Sequence, residues 1–137
     1  SCRLFFFGGG SSEIDIINSI VEKYPNSINA SAILGGLRNE LILMSHLDVM
    51  ISMDSSNMHM ASLVGCPVVS IWGATHPYAG FMGWGQNEKD VVQIDMDCRP
   101  CSIYGNKPCL RGDYACMTMI KPETIADHVE KVLTRRV

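Results

Sequence analysis

The sequence is poor in charge and carries no concentrated block of either sign. Asp, Glu, Lys and Arg make up only 18% of it, and 14 acidic against 11 basic residues leave a formal net charge of −3. No basic run exceeds the Arg135-Arg136 pair, so the electrostatic footprint that nucleic-acid binding requires is lacking. Long apolar runs are lacking too. The longest candidate, from Leu41 to Met53, is broken by His46 and Asp48, and it falls short of the roughly 18 residues that cross a bilayer as a helix. These absences predict a soluble chain with no nucleic-acid partner and no transmembrane segment. A secretory leader is missing as well, since Arg3 and Phe5-Phe6-Phe7 run at once into Gly8-Gly9-Gly10, too short for an h-region. A chain that opens directly on a buried strand reads as a piece of a longer protein.

What is present is a core. The 137 residues are 47% hydrophobic, enough for one globular lobe over residues 1–137 and too few for two substrate-binding lobes. Leu4 to Phe7 reads as a buried strand closed by the three glycines, and Ser11 or Ser12 can cap a helix whose stripe is Ile14, Ile17, Val21 and Tyr24. Ser27 to Ile33 reads as a second strand, Gly35-Gly36 as a turn, and Leu37 to His46 as a second helix with Leu37, Leu41 and Met44 or Ile42 inward. Asp48 to Met53 is a third strand. Asp54-Ser55-Ser56-Asn57 then supplies capping residues before a short helix, Met58 to Val64, stopped by Gly65. Pro67 to Trp72 is a fourth strand and Val91 to Ile94 a fifth, with a glycine-rich loop between them. Residues 98–118 hold four cysteines without periodicity, and after Pro122 a last helix places Ile125, Val129, Val132 and Leu133 on one face.

Strands alternating with helices predict right-handed crossovers and a Rossmann-like α/β fold, a parallel sheet with helices on both faces. Ligands of such sheets lie beyond the carboxyl ends of the strands, which directs attention to the loops after Phe7, Met53 and Trp72.

Three groups there carry possible chemistry. The turn Gly8-Gly9-Gly10 leads to Glu13 at a helix start, where bare backbone and the helix dipole favour an anion, although no P-loop or full dinucleotide fingerprint is present. Glu13 equally suits a plain dipole-complementing role. Asp54, Ser55, Ser56 and His59 gather hydroxyls, free backbone N–H groups and an imidazole at the start of the short helix, a fitting seat for a phosphate; the plainer reading is a capped helix bearing one histidine. Cys98-x2-Cys101-x7-Cys109-x6-Cys116 opens with a zinc-knuckle spacing but lacks a second close pair. A structural zinc, two disulfides and reduced packed thiols all remain open for it.

The ordered set Gly-Gly-x-x-x-Glu, then Asp-Ser-Ser-x-x-His-x-Ala-x-x-x-Gly-x-Pro-Val-Val-x-x-x-Gly-x-Thr-x-Pro from Asp54 to Pro77, then Cys-x-Pro-Cys and two later cysteines, resembles glycosyltransferase family 9. That family contains the ADP-heptose:lipopolysaccharide heptosyltransferases. The resemblance implies the carboxyl-terminal, donor-binding half of a GT-B enzyme, one that moves a heptose or similar sugar from a nucleotide diphosphate donor to a lipopolysaccharide core acceptor. It implies that Asp54, Ser55, Ser56 and His59 hold the diphosphate and face the sugar. It further implies that Glu13, given room by Gly8, Gly9 and Gly10, accepts a ribose hydroxyl, and that the base packs near Leu34 to Leu37. Ser56 stands where the family usually has glycine. No catalytic residue is expected here, because the general base belongs to the other lobe, and the chain alone is expected to bind without catalysing. The same resemblance implies inverting transfer without a required metal, in the cytoplasm or peripherally at the inner membrane. A rival from another class is a non-catalytic nucleotide-binding or zinc-stapled interaction module working through the Cys98 to Cys116 loop. An epimerase lobe of like architecture fits the Asp54 to His59 set less well.

Overall fold

The computed structural model describes residues 2–136, and the chain falls into two compact units, Ser1–Leu43 and Met44–Val137. The expected parallel α/β, Rossmann-like arrangement is present, with helices around short parallel strands.

In the first unit β1 (Leu4–Phe6) and β2 (Ser27–Asn29) pair in parallel, Leu4 opposite Ser27 and Phe6 opposite Asn29. The connection is α1 (Ser11–Lys23), which buries Ile17 and half-buries Ile14, Ile20 and Val21. Tyr24, expected on that stripe, is exposed, because it leaves the helix as the C-cap with an extended φ of −121°. The second strand is shorter than expected. The side-chain oxygen of Asn29 accepts from the Ala32 N–H at 3.2 Å and so starts a new helix, α2 (Ala30–Leu34), where continued strand was predicted. Asn29 is itself buried, and its amide is satisfied by Asn18 Oδ1 at 3.0 Å. Gly35, at φ 64°, ends α2 in the left-handed conformation that glycine adopts without strain. In α3 (Leu37–Met44) the inward residues are Leu41 and Met44; Leu37 and Ile42 are exposed.

In the second unit β3 (Met50–Met53), β4 (Val68–Trp72) and β5 (Val91–Gln93) form a parallel sheet in the order β3-β4-β5. The connection from β3 to β4 is α4 (Ser56–Leu63), which packs on both strands and stops before Gly65, at φ 73°. A short α5 (Ala115–Thr118) is the one helix within residues 98–118. The last helix, α6 (Pro122–Arg135), begins with Pro122, whose missing N–H costs nothing at a first-turn position. Its apolar stripe places Val132 against Val69 and Val92, with Ile125 and Val129 packed alongside. Leu133, one residue and about 100° of helix turn from Val132, lies at the margin of that stripe and is 38% exposed. Strand alternation turns Val68, Ser70 and Trp72 to the opposite face, where the fully buried Trp72 donates its indole N–H to Ser70 Oγ at 2.9 Å. The helix end is tied down by Arg135 on the buried Asp90 carboxylate and by Arg136 on the Leu47 and Asp48 carbonyls.

Truncating Val132 removes two methyl groups from the best-packed point of the α6 contact. Val132→Ala should therefore lower the unfolding free energy by about 2 kcal/mol in urea denaturation, and Leu133→Ala by roughly 1 kcal/mol or less.

Candidate functional site

The carboxyl ends of three parallel strands share one edge, and the segments leaving them converge there. Asp54 follows β3 directly, Thr75 follows β4 after two residues, and Arg99 follows β5 in the cysteine-rich stretch. Thr75 is buried and donates its hydroxyl to Asp54 Oδ2 at 2.6 Å; Asp54 is half-buried. Ser55 is the N-cap of α4, with extended φ −124° and ψ 173°, but its hydroxyl does not cap the helix. It lies 3.0 Å from Ser52 Oγ instead, turned back toward β3. The first turn of α4 thus keeps backbone N–H groups that no side chain satisfies, the feature that makes a helix start receptive to an anion. Ser56 and His59 are both exposed on this helix, one turn apart, and among the described residues neither side chain has a partner.

The far end of α4 is secured. Met58 and Ala61 are fully buried, and Ser62 Oγ donates to the Met58 carbonyl while accepting from Gln86 Nε2 at 3.1 Å. Gln86 also donates to the Cys66 carbonyl and accepts from the Val68 N–H at 2.8 Å, joining the end of α4 to the start of β4. Rotation of α4 would break these contacts, so its open end is held in a fixed direction.

Arg99 performs the equivalent task at the strand ends. Its guanidinium donates to the carbonyls of Gly73 and Ile94, both at 2.5 Å, to the Thr75 carbonyl at 2.9 Å and to Gln93 Oε1 at 3.0 Å. The Cys101 N–H adds a bond to the Ala74 carbonyl at 2.8 Å. Gly73 has no room for a Cβ, which would run into the Met117 side chain. Neither Thr75 nor Arg99 was singled out by residue type. Their signal lay in position: a polar residue just past a strand in Gly-x-Thr-x-Pro, and an arginine between two cysteines.

In the first unit Gly9, Gly10 and Glu13 are brought together in another way. Glu13 Oε2 accepts from the Gly9 N–H at 3.0 Å and from the Gly10 N–H at 3.4 Å, so the carboxylate caps the start of its own helix. The Gly8 N–H donates to Ser31 Oγ at 3.1 Å, and a Cβ on Gly8 would lie 2.8 Å from Ile17 Cδ1, whereas Gly9 and Gly10 face open space. The ribose role of Glu13 rests on resemblance.

The four clustered cysteines lie near one another. Burial, followed by the charges of Cys98, Cys109 and Cys116, pushes the Cys101 thiol above its ordinary pKa. Cys109 is shifted the other way, chiefly by hydrogen bonding from the Tyr114 backbone and also from Gly112 and Arg111. All six cysteines are unpaired, and among the described residues no group of three or more His, Cys, Asp or Glu side chains is placed to hold a metal ion.

The parallel α/β unit carries an open helix start and an acidic residue at the carboxyl edge of its sheet, and comparison with known proteins places the chain in a family. The sequence profile of glycosyltransferase family 9 (heptosyltransferase) matches residues 1–109. The chain is 26% identical over 141 aligned positions to lipooligosaccharide heptosyltransferase 2 of Campylobacter jejuni subsp. jejuni serotype O:6, an alignment covering 98% of this chain and 42% of that protein. No solved structure matches significantly. The chain belongs to glycosyltransferase family 9, and it spans about two fifths of the length of the curated relative it matches.

The thiols offer a direct check on the local geometry. Thiolate is the reactive form; Cys109 has its pKa lowered, while burial pushes Cys66 up to about 11. Alkylation with iodoacetamide at pH 7.5, followed by peptide mapping, should label Cys109 at least about tenfold faster than Cys66. Raising the pH toward 9 should speed labelling of the folded chain at Cys66 last.

Proposed function

We propose that this chain is the donor-binding lobe of a GT-B glycosyltransferase that moves a heptose or similar sugar from a nucleotide diphosphate sugar to a lipopolysaccharide core acceptor. The observation that carries this reading is the start of α4: backbone N–H groups without a capping side chain, flanked by Ser55, Ser56 and an unpartnered His59, next to Asp54. A diphosphate brings negative charge and oxygen acceptors to a place that offers donors and the positive end of a helix dipole. His59, one turn into the helix, adds a donor that strengthens on protonation. Asp54 accepts from hydroxyls of the sugar.

The transfer itself is an inverting displacement that requires no metal. This lobe contributes by orienting the donor and by stabilising the charge that builds on the departing diphosphate. The base that deprotonates the acceptor hydroxyl and the basic residue that offsets phosphate charge come from the remainder of the enzyme, so the chain alone binds donor without turnover. No helix among the described residues is long and apolar enough to cross a membrane. The enzyme works in the cytoplasm or at the inner membrane surface, where its lipid-linked acceptor is held by the other lobe.

Calorimetric titration with ADP, ADP-heptose, UDP and GDP tests the reading. ADP or ADP-heptose should bind, and His59→Ala should weaken diphosphate affinity by about fivefold, the equivalent of one hydrogen bond of about 1 kcal/mol, without changing the melting temperature. Absence of any binding at millimolar nucleotide would oppose the assignment, and an unchanged affinity in His59→Ala would remove that residue from the site.

A further inference from the structure

We infer that Thr75 is the positioning residue for Asp54, holding one carboxylate oxygen so that the other is aimed at a hydroxyl of the donor sugar, and that the cysteine-rich loop holds Thr75 in turn through Arg99. This rests on the donor-site reading above and assigns a part of its specificity.

The geometry begins with the single hydroxyl hydrogen that Thr75 can give. It goes to Asp54 Oδ2 at 2.6 Å, so the Thr75 hydroxyl has no hydrogen left to give a ligand, and its one hydrogen is committed to Asp54. Thr75 is 5% exposed, which keeps water from competing for that bond. The carboxylate torsion of an aspartate is broad and soft; fastening Oδ2 removes that freedom and directs Oδ1, which has no partner among the described residues. An ionised carboxylate oxygen only accepts, and sugar hydroxyls donate, so the chemistry at that point is complementary. The ordering cost is met in the free protein, which leaves more of the contact energy for binding.

The support of Thr75 comes through its backbone. Arg99 Nη2 donates to the Thr75 carbonyl at 2.9 Å and the same guanidinium grips the Gly73 carbonyl, fixing the backbone on either side of Ala74. Gly105, at φ 66°, lies beside the Thr75 methyl: a Cβ there would come within 3.1 Å of Thr75 Cγ2. The loop between Cys98 and Cys116 therefore has a function that requires no ligand of its own: through Arg99 it holds the backbone of the residue that orients Asp54.

The inference separates the sugar from the nucleotide. Thr75→Val keeps shape and β-branching while deleting the hydroxyl, and Thr75→Ser restores it. In titrations of the whole chain, Thr75→Val should weaken ADP-heptose by about tenfold and ADP by less than about twofold, and Thr75→Ser should recover most of the ADP-heptose affinity. In an Asp54→Asn background Thr75→Val should add little further loss, because both changes act through one carboxylate. Equal weakening of ADP and ADP-heptose would reduce Thr75 to a structural tie and overturn the inference, as would unchanged ADP-heptose binding in Thr75→Val. Should Thr75→Val melt well below wild type, Thr75→Ala, which deletes the same hydroxyl, gives the same ratio of the two affinities. A wild-type chain that binds neither ligand would bring down the donor-site reading itself; a wild-type chain that binds both, with a silent Thr75→Val, would bring down this inference alone.

Discussion

Strand ends present carbonyl oxygens that have left the sheet ladder, and buried ones must find donors or cost stability. At the carboxyl edge of the β3-β4-β5 sheet one side chain meets much of that demand, beside the Ser52 hydroxyl on the Met53 carbonyl and the Cys101 N–H on the Ala74 carbonyl. The Arg99 guanidinium serves carbonyls of Gly73, Thr75 and Ile94, which follow two adjacent strands. Its planar fork can reach several acceptors at fixed angles, which a lysine ammonium on a flexible stem does less well. The path of residues 73–75 is held by that clamp, and Thr75, carried on that path, donates to Asp54.

The two ends of α4 are treated oppositely, the carboxyl end closed and the amino end left open. Gln86, Ser62 and the Cys66 carbonyl form a closed set of bonds at the carboxyl end, over the fully buried Met58 and Ala61. At the amino end Ser55 turns its hydroxyl to Ser52 and leaves the first turn uncapped. A stable helix would ordinarily gain from a cap there. Forgoing it costs stability and keeps donors free. In α1 the Glu13 carboxylate reaches back instead to the N–H groups of Gly9 and Gly10 ahead of the helix.

Much of this was legible from residue order. The boundaries of α4 follow from the polar run Asp54 to Asn57 and from Gly65, and the start of α6 from Pro122, because caps and stops are local chemistry. The parallel sheet followed from alternation of strand and helix patterns. Departures arose where one side chain chose between two local structures. Asn29 caps a helix where the apolar pattern suggested continued strand, and Tyr24 leaves α1 one residue before its stripe would have buried it. Leu133 belongs to the α6 stripe by count and lies at its margin because the neighbouring contacts are filled by Val132 and Val129.

The sequence by itself determined the fold class, the place of a helix start after Met53 and the family, since each rests on order and spacing along a short stretch of chain; that the helix start is uncapped was decided by Ser55 turning back to Ser52. It named Asp54, Ser55, Ser56 and His59 together for the same reason: one strand-to-helix junction carries all four. Only the tertiary structure decided that Thr75 reaches Asp54 across 21 positions of sequence and that Arg99 reaches Thr75 across 24. Such contacts are set by which strands lie side by side and by where their ends fall, and no local propensity or periodicity encodes that register.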